Sequence, residues 1–432
     1  MQRLAAPARL IGMGSRMRIT AGVAAAVITA AGCGPAVAAR PRPTAVSRGV
    51  AASDLAATPR ALAAADTAFG LDVLGAWCRQ NPRANIVLSP ESLASGLGMA
   101  YLGARGSTAR AMSAVLHLPA GGAGLESGLH ARSAALRELG GPGVTVAGSD
   151  RVWTSPRMNL LRSYTRAVAA GYGATVGRAP LLTDPAEAAR QIDAAIAATT
   201  RGHIPALLGP DSLNGIAWVL TDALYLDADW AAPFPASQTR PGEFTTAAGQ
   251  QASAEFLHGG GFRTVTAGGW TAVSLPYRGG KLAMTALLPG SGSGGCPALA
   301  PATLRGIAAA FSAPSTGGGL TDIALPKVSL RSSANVGSLL AGLGMGVAFS
   351  GAADFTGLSP QACCIALVVH AATLAVAEKG TVASAATAVG IAPTAVSAPL
   401  SLIVFDRPYV LLVTDTQTGE PLFLARVADP GV

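Results

Sequence analysis

The side chains that could do chemistry in this chain do not assemble into a recognised catalytic set. A nucleophilic serine on a strained turn needs Gly-x-Ser-x-Gly, a zinc-bound water needs His-Glu-x-x-His on one helix face, and a phosphate cradle needs a glycine loop ending in Gly-Lys-Ser/Thr. None of these occurs: Gly280-Lys281 is followed by Leu282, and Gly342, Gly344 and Gly346 follow a helix pattern, the wrong context for a dinucleotide. His117, His130, His203 and His258 are scattered and read as solvated, while His370 lies in an apolar strand pattern. Cys78 falls on a helix pattern, and Cys363-Cys364 fall in what reads as an apolar strand, which would turn adjacent thiols to opposite faces. With Cys296 they show no metal or disulfide spacing and are expected to be isolated buried thiols. No enzyme, metal or cofactor is expected, so the remaining chemistry is chemistry done to the chain.

Its site is the stretch from Glu378 to Phe405, in which nothing between Lys379 and Asp406 carries a charge. Read as a strand, Thr381, Ala383, Ala385, Thr387 and Val389 share one face, and Val382, Ser384, Ala386, Ala388 and Gly390 the other. Both faces are small and uncharged, so the segment could enter a sheet without burying an unpaired charge, which costs several kcal/mol. Gly380 offers a hinge, and Pro393, which cannot donate to a ladder, marks where insertion stops. An Ala-rich linker or frayed helix would have the same composition.

The flanks separate these readings. Leu367-Val-Val-His-Ala-Ala-Thr-Leu-Ala-Val-Ala-Glu-Lys-Gly-Thr381 resembles the strand and hinge ahead of the reactive loop in serpins, the serine protease inhibitor superfamily. Phe405-Asp-Arg-Pro-Tyr-Val-Leu-Leu-Val-Thr414, Gly419-Glu-Pro-Leu-Phe-Leu-Ala-Arg-Val427 and Pro430 resemble that family's closing strands and tail. Upstream, Asn85-Ile-Val-Leu-Ser-Pro-Glu-Ser92, Gly98 to Thr108, Thr200-Arg-Gly-His-Ile204, Trp230, Pro233-Phe234, Thr239, Phe244 and Leu325-Pro-Lys-Val-Ser-Leu330 follow in the family's order. The likeness is collinear from about Asp66 to Pro430, and is to the bacterial secreted type.

That resemblance implies an α+β fold: a single large domain of three β-sheets and about eight or nine helices, with an exposed C-terminal reactive loop. It also implies a suicide substrate of serine proteases. The target's catalytic serine acylates the loop, and the hinge enters the main sheet before water hydrolyses the ester. Glu378, Gly380, Thr381, Ala383, Ala385 and Ala386 match the hinge, with Val382 where Glu is usual. Counting forward from the hinge puts the reactive bond at Thr394-Ala395, whereas counting back from Phe405 gives Ser397. Ile391 to Ala395 has no Arg, Lys or large aromatic residue and suits the small pockets of elastase-like or subtilisin-like enzymes. Ser89, Ser92 and His370 match the shutter of the sheet, with Asp222 where Asn is usual, which suggests a charged pair with protonated His370. Trp230 matches the breach residue. Other readings are a non-inhibitory binding protein of this fold and a structural surface lipoprotein.

These sites need elements to position them. Phe69, Val73 and Trp77 at helical spacing precede Asn81-Pro82, Ile86 to Leu88 read as a strand, and Ser89-Pro90 as the cap and first position of a helix. Asp184-Pro185-Ala186-Glu187 opens another helix with the pattern of a capping box. Strands follow at Ile216 to Leu226 and on both sides of Arg278-Gly279-Gly280-Lys281.

The basic excess is confined to one end. The chain of 432 residues has 31 Lys and Arg against 23 Asp and Glu, yet residues 1–60 hold eight Arg and one Asp, leaving 23 against 22. A nucleic-acid partner is therefore not expected. Arg16 and Arg18 precede an apolar run from Ile19 to Ala31, too short to cross a bilayer and suited to a secretory signal. Cleavage before Cys33, after Ala30-Ala31-Gly32, would leave a lipid anchor; cleavage after Val37-Ala38-Ala39 would free the chain. The domain reading is a signal over 1–39, a Pro-, Ala- and Arg-rich linker over 40–60 and the folded domain over 61–432. The expected protein is a secreted or extracellular monomer, its only membrane contact an anchor on Cys33 and its partner an extracellular serine protease held covalently.

Overall fold

The computed structural model describes residues 57–431, apart from 120–123, 149–150, 210, 291–294, 314–319, 382–400 and the side chain of Asp222. Eight helices lie in this span: α1 (Pro59–Gln80), α2 (Pro90–Gly103), α3 (Gly106–Val115), α4 (Leu125–Arg137), α5 (Arg162–Tyr172), α6 (Pro185–Thr199), α7 (Pro301–Ser312) and the short α8 (Gly337–Leu340). Their ends follow local chemistry. Thr58 caps α1 by accepting from Ala61 N, Pro59 supplies the fixed φ of the first turn, and Asn81 terminates the helix. Ser89 caps α2 in the same way, accepting from Ser92 N at 3.1 Å. In α6, Asp184 accepts from Glu187 N at 2.9 Å, but the Glu187 carboxylate turns to Arg190 and Gln191 instead of closing a capping box.

The strands form three sheets, two of them continuous with each other. The central sheet runs β11 (Val328–Asn335), β12 (Val368–Val376), β5 (Trp218–Asp229), β3 (Arg151–Thr154) and β4 (Gly177–Arg178), with β2 (Val144–Gly148) and β13 (Gly380–Thr381) also paired to β5. A second sheet orders β1 (Ile86–Leu88), β16 (Pro421–Val427), β15 (Tyr409–Asp415), β9 (Leu282–Pro289) and β8 (Trp270–Pro276) up to β7 (Gln251–Ala267). The third gathers β6 (Arg240–Thr245), β10 (Leu320–Pro326) and β14 (Leu402–Val404) around the first half of the same β7. The passage from one to the other falls at Gly259-Gly260-Gly261, where Gly261 takes φ +82° and a Cβ on Gly260 would sit 2.1 Å from Asp322 Oδ1. The positive φ at Gly261 is one that glycine adopts without steric cost.

Alternation along β5 separates two cores. Val219 and Ala223 pack with Val369, Ala371 and the Ile192 and Ile196 stripe of α6, while Leu224 and Leu226 face the other sheets with Trp230, Met284 and Phe423. By the same period, His370 points inward, away from α6.

The cysteines differ from expectation. Cys78, in the last turn of α1, is disulfide-bonded to Cys296 across a sequence separation of 218 residues. Cys363 and Cys364 lie in irregular backbone ahead of β12, with their Sγ atoms 3.3 Å apart, so they are neither in a strand nor on opposite faces. Pinning of the backbone by Ile365 N on Ala348 O at 2.9 Å holds this segment out of the sheet.

Candidate functional site

The central sheet is not uniformly zipped. β12 pairs in parallel with β5 from Val368 opposite Leu220 to Ala372 opposite Leu224, and pairing on that side of β5 then stops. It resumes at Ala228 and Asp229, where Thr381 and Gly380 return antiparallel. Among the described residues no strand pairs with that side of β5 between Leu224 and Ala228, which leaves a slot walled by β5 and by the upper half of β12. Thr381, already at its mouth, is fully buried, and its Oγ1 hydrogen-bonds the Tyr277 hydroxyl at 2.5 Å. A Cβ on Gly380 would lie 2.0 Å from Ala228 O, so glycine permits this approach.

Several contacts hold the hinge in place. Trp230 stacks on Tyr277 with ring centroids 4.5 Å apart, donates Nε1–H to Ala377 O at 2.9 Å, and donates its backbone N–H to Lys379 O at 2.7 Å. Burial pushes the Tyr277 hydroxyl pKa up, keeping it a neutral hydrogen-bonding group. The Glu378 carboxylate accepts from Lys327 Nζ and Thr239 Oγ1, both at 3.0 Å. Partial burial pulls its pKa upward, but its own backbone N–H with Lys327 and Thr239 outweighs that and holds it below the ordinary value. The hinge contacts of Lys327, which the sequence offers only as part of the Leu325 to Leu330 motif, and of Tyr277 were not legible in the sequence. Neither has a distinctive neighbour, and both matter only through where the chain returns to β5.

Below the slot, His370 is fully buried and its Nε2 accepts the Ser89 backbone N–H at 3.1 Å. The expected pairing of a protonated His370 with Asp222 falls on a side chain outside the described residues. Ser89 and Ser92 are buried with it, and Ser332 of β11 joins the cluster by accepting from Val87 N at 3.0 Å. Asp222 stands opposite His370 in the β5–β12 register, but its side chain lies outside the described residues. The remaining candidates Ala383, Ala385, Ala386, Thr394, Ala395 and Ser397 also lie outside them, as does Cys33. Thr381 is the last described residue of the hinge, and the description resumes at Ser401, whose carbonyl accepts from Asp322 N of the third sheet at 3.1 Å. Among the described residues no cluster of three or more His, Cys, Asp or Glu could hold a metal ion.

Comparisons with known proteins bear on this arrangement. The family profile described as Serpin (serine protease inhibitor) matches residues 64–430. The leukocyte elastase inhibitor of Bos taurus is 29% identical over 378 residues, covering 85% of this chain and 99% of that protein. An uncharacterised serpin-like protein of Thermococcus kodakarensis is 30% identical over 360 residues, covering 80% of this chain and 81% of the other. Among solved structures, the thermophilic serpin tengpin in its native state superposes with a TM-score of 0.75 at 21% identity, over 85% of this chain and 94% of that one. Thyroxine-binding globulin with thyroxine gives 0.72 at 21%, over 85% and 99%, and at such identities the likeness is one of fold. With a family match over most of its length, the chain belongs to the serpin family of serine protease inhibitors.

Proposed function

We propose that this protein inhibits serine proteases with small primary pockets, elastase-like or subtilisin-like, by trapping the acyl-enzyme as its cleaved loop enters the central sheet. The observation carrying this is the parting of the central sheet: among the described residues β12 and β5 pair no further than Ala372 and Leu224, and Gly380-Thr381 already pair with β5 at the mouth. The protease serine attacks the carbonyl of Thr394, the bond to Ala395 breaks, and the freed strand fills the slot. A strand of about 14 residues at ~3.3 Å each spans ~46 Å, enough to carry an attached enzyme down the sheet. One ladder bond contributes about 1 kcal/mol net. The filled slot therefore gains on the order of 10 kcal/mol, as much as the whole stability of a typical domain.

The relatives named as elastase inhibitors, and a loop without Arg, Lys or large aromatic residues around Thr394, support the pocket class. Incubation with elastase and with subtilisin should each give an adduct that survives SDS, with the loop cut between Thr394 and Ser397 by mass spectrometry. Cleavage without an adduct would favour a non-inhibitory binding protein of this fold.

The protein is proposed to act outside the cytoplasm as a monomer. The leader with its apolar run supports export, and so does the Cys78–Cys296 disulfide, which persists in oxidising compartments. Cys33 offers a lipid anchor. Radiolabelled fatty acid entering the expressed precursor would establish it, and release of unlabelled soluble protein would eliminate it.

A further inference from the structure

Ahead of β12, the chain places two thiols side by side. Cys363 is exposed, Cys364 is half-buried, and their Sγ atoms are 3.3 Å apart. The flanks fix this geometry. Ile365 is buried and bonded through its amide to Ala348 O, and the Gln361 side chain accepts from Asn159 N at 2.8 Å. A pleated strand would have turned the two side chains apart; the irregular backbone from Ala362 to Leu367 does not. The other two described cysteines are already joined to each other.

We propose that Cys363 and Cys364 form a vicinal dithiol that closes reversibly to a disulfide by exchange with small organic disulfides, a modification site at the root of β12. The exposed Cys363 thiolate attacks the small disulfide, forming a mixed disulfide and releasing one thiolate, which takes up the proton Cys363 lost. Cys364, deprotonated, then attacks the Cys363 sulfur and expels the second thiolate. Two protein thiols are oxidised and one small disulfide is reduced to two thiols. The order of attack follows from exposure, and burial also raises the Cys364 pKa, with Cys363 as its hydrogen-bond neighbour.

Reversibility follows from covalent geometry. Consecutive Cα atoms stand about 3.8 Å apart, whereas unstrained disulfides span about 4.4–6.8 Å, so a vicinal bridge is strained and easily reduced. Four residues after Cys364, Val368 opens β12, the strand that walls the slot. Closing the ring stiffens the connection on which β12 must shift when the slot fills. This consequence, unlike the chemistry, rests on the inhibitory function.

The test treats the full-length protein with oxidised glutathione, alkylates free thiols, digests, and weighs the peptide containing Cys363 and Cys364. A wild-type peptide lighter by two hydrogens, unalkylated and free of glutathione, is expected, with dithiothreitol restoring both thiols. Cys364→Ser should stop at the mixed disulfide on Cys363. A wild-type peptide that retains glutathione, or remains fully alkylated, overturns the proposal whether or not the variant folds. In the same samples, oxidised protein should form protease adducts at a rate at least about threefold different from the reduced form. Equal rates with a closed ring overturn the coupling to β12 alone, and adducts absent from both forms overturn the inhibitory function alone.

Discussion

Asp66, Glu91, Arg132 and Glu420 are all essentially removed from water, which sets three carboxyl groups around one guanidinium. Arg132 donates to Asp66 through Nη1 and to Ser95 Oγ through Nη2 at 2.7 Å, while Ser95 Oγ donates to Glu91 Oε1 at 2.7 Å. Neither oxygen of Glu420 meets a hydrogen-bearing group, and the carboxyl it contacts, Asp66, is another acceptor. Only a proton held between the two satisfies both. Burial first, and then the Asp66 charge, push the Glu420 pKa well above the usual carboxylate range. A group whose folded pKa is raised stabilises fully below its unfolded pKa and loses that contribution as pH rises through the folded value. Stability should therefore decline from pH ~5 into the alkaline range, by about 1.4 kcal/mol for each unit by which the folded value exceeds the unfolded one. Glu420→Gln keeps the volume and cannot ionise, so its melting temperature at pH 9 should exceed the parent's and its pH profile should be flatter. Parallel profiles for the two proteins would show that Glu420 is ionised without cost.

The hinge is where residue type and element meet. Thr381 is fully buried against Tyr277, and its side chain enters the sheet before any cleavage. An arginine there would bring a charge into that site at a cost of several kcal/mol, and each 1.4 kcal/mol added to a barrier slows a step about tenfold. Thr381→Arg should therefore still be cleaved by elastase while its yield of SDS-resistant adduct falls at least tenfold, hydrolysis overtaking insertion. An undiminished yield would remove insertion from the mechanism. The small, uncharged character of the segment after Gly380 was legible because it is local. The seating of Gly380 and Thr381 was not, because it depends on where β12 parts from β5, and both strands read as uninterrupted β patterns. The backbone contact of His370 was hidden for a related reason. Its acceptor role is fixed by a backbone amide from Ser89, 281 residues away in sequence, which no side-chain pattern announces.

At the scale of the whole molecule, collinear motifs from Asp66 to Pro430 carried the fold, since each keeps a strand or cap signature of its own. Features assembled from distant pieces stayed hidden. The Cys78–Cys296 bridge spans 218 residues, and the buried charge cluster draws on α1, α2, α4 and the turn before β16. The open slot is of this second kind, and it makes a prediction about global stability. Among the described residues pairing on that side of β5 is interrupted between Leu224 and Ala228, and a strand added there would supply ladder bonds to both walls. A gain on the order of 10 kcal/mol, at roughly 2 °C per kcal/mol for a large domain, raises the melting temperature by about 20 °C. Calorimetry of intact protein and of protein nicked within 382–400, both fragments still associated, measures this directly. A rise of that order means the intact fold stores the energy that traps the protease. An unchanged midpoint means the slot does not admit the loop, and the molecule would then bind its partners without a spring.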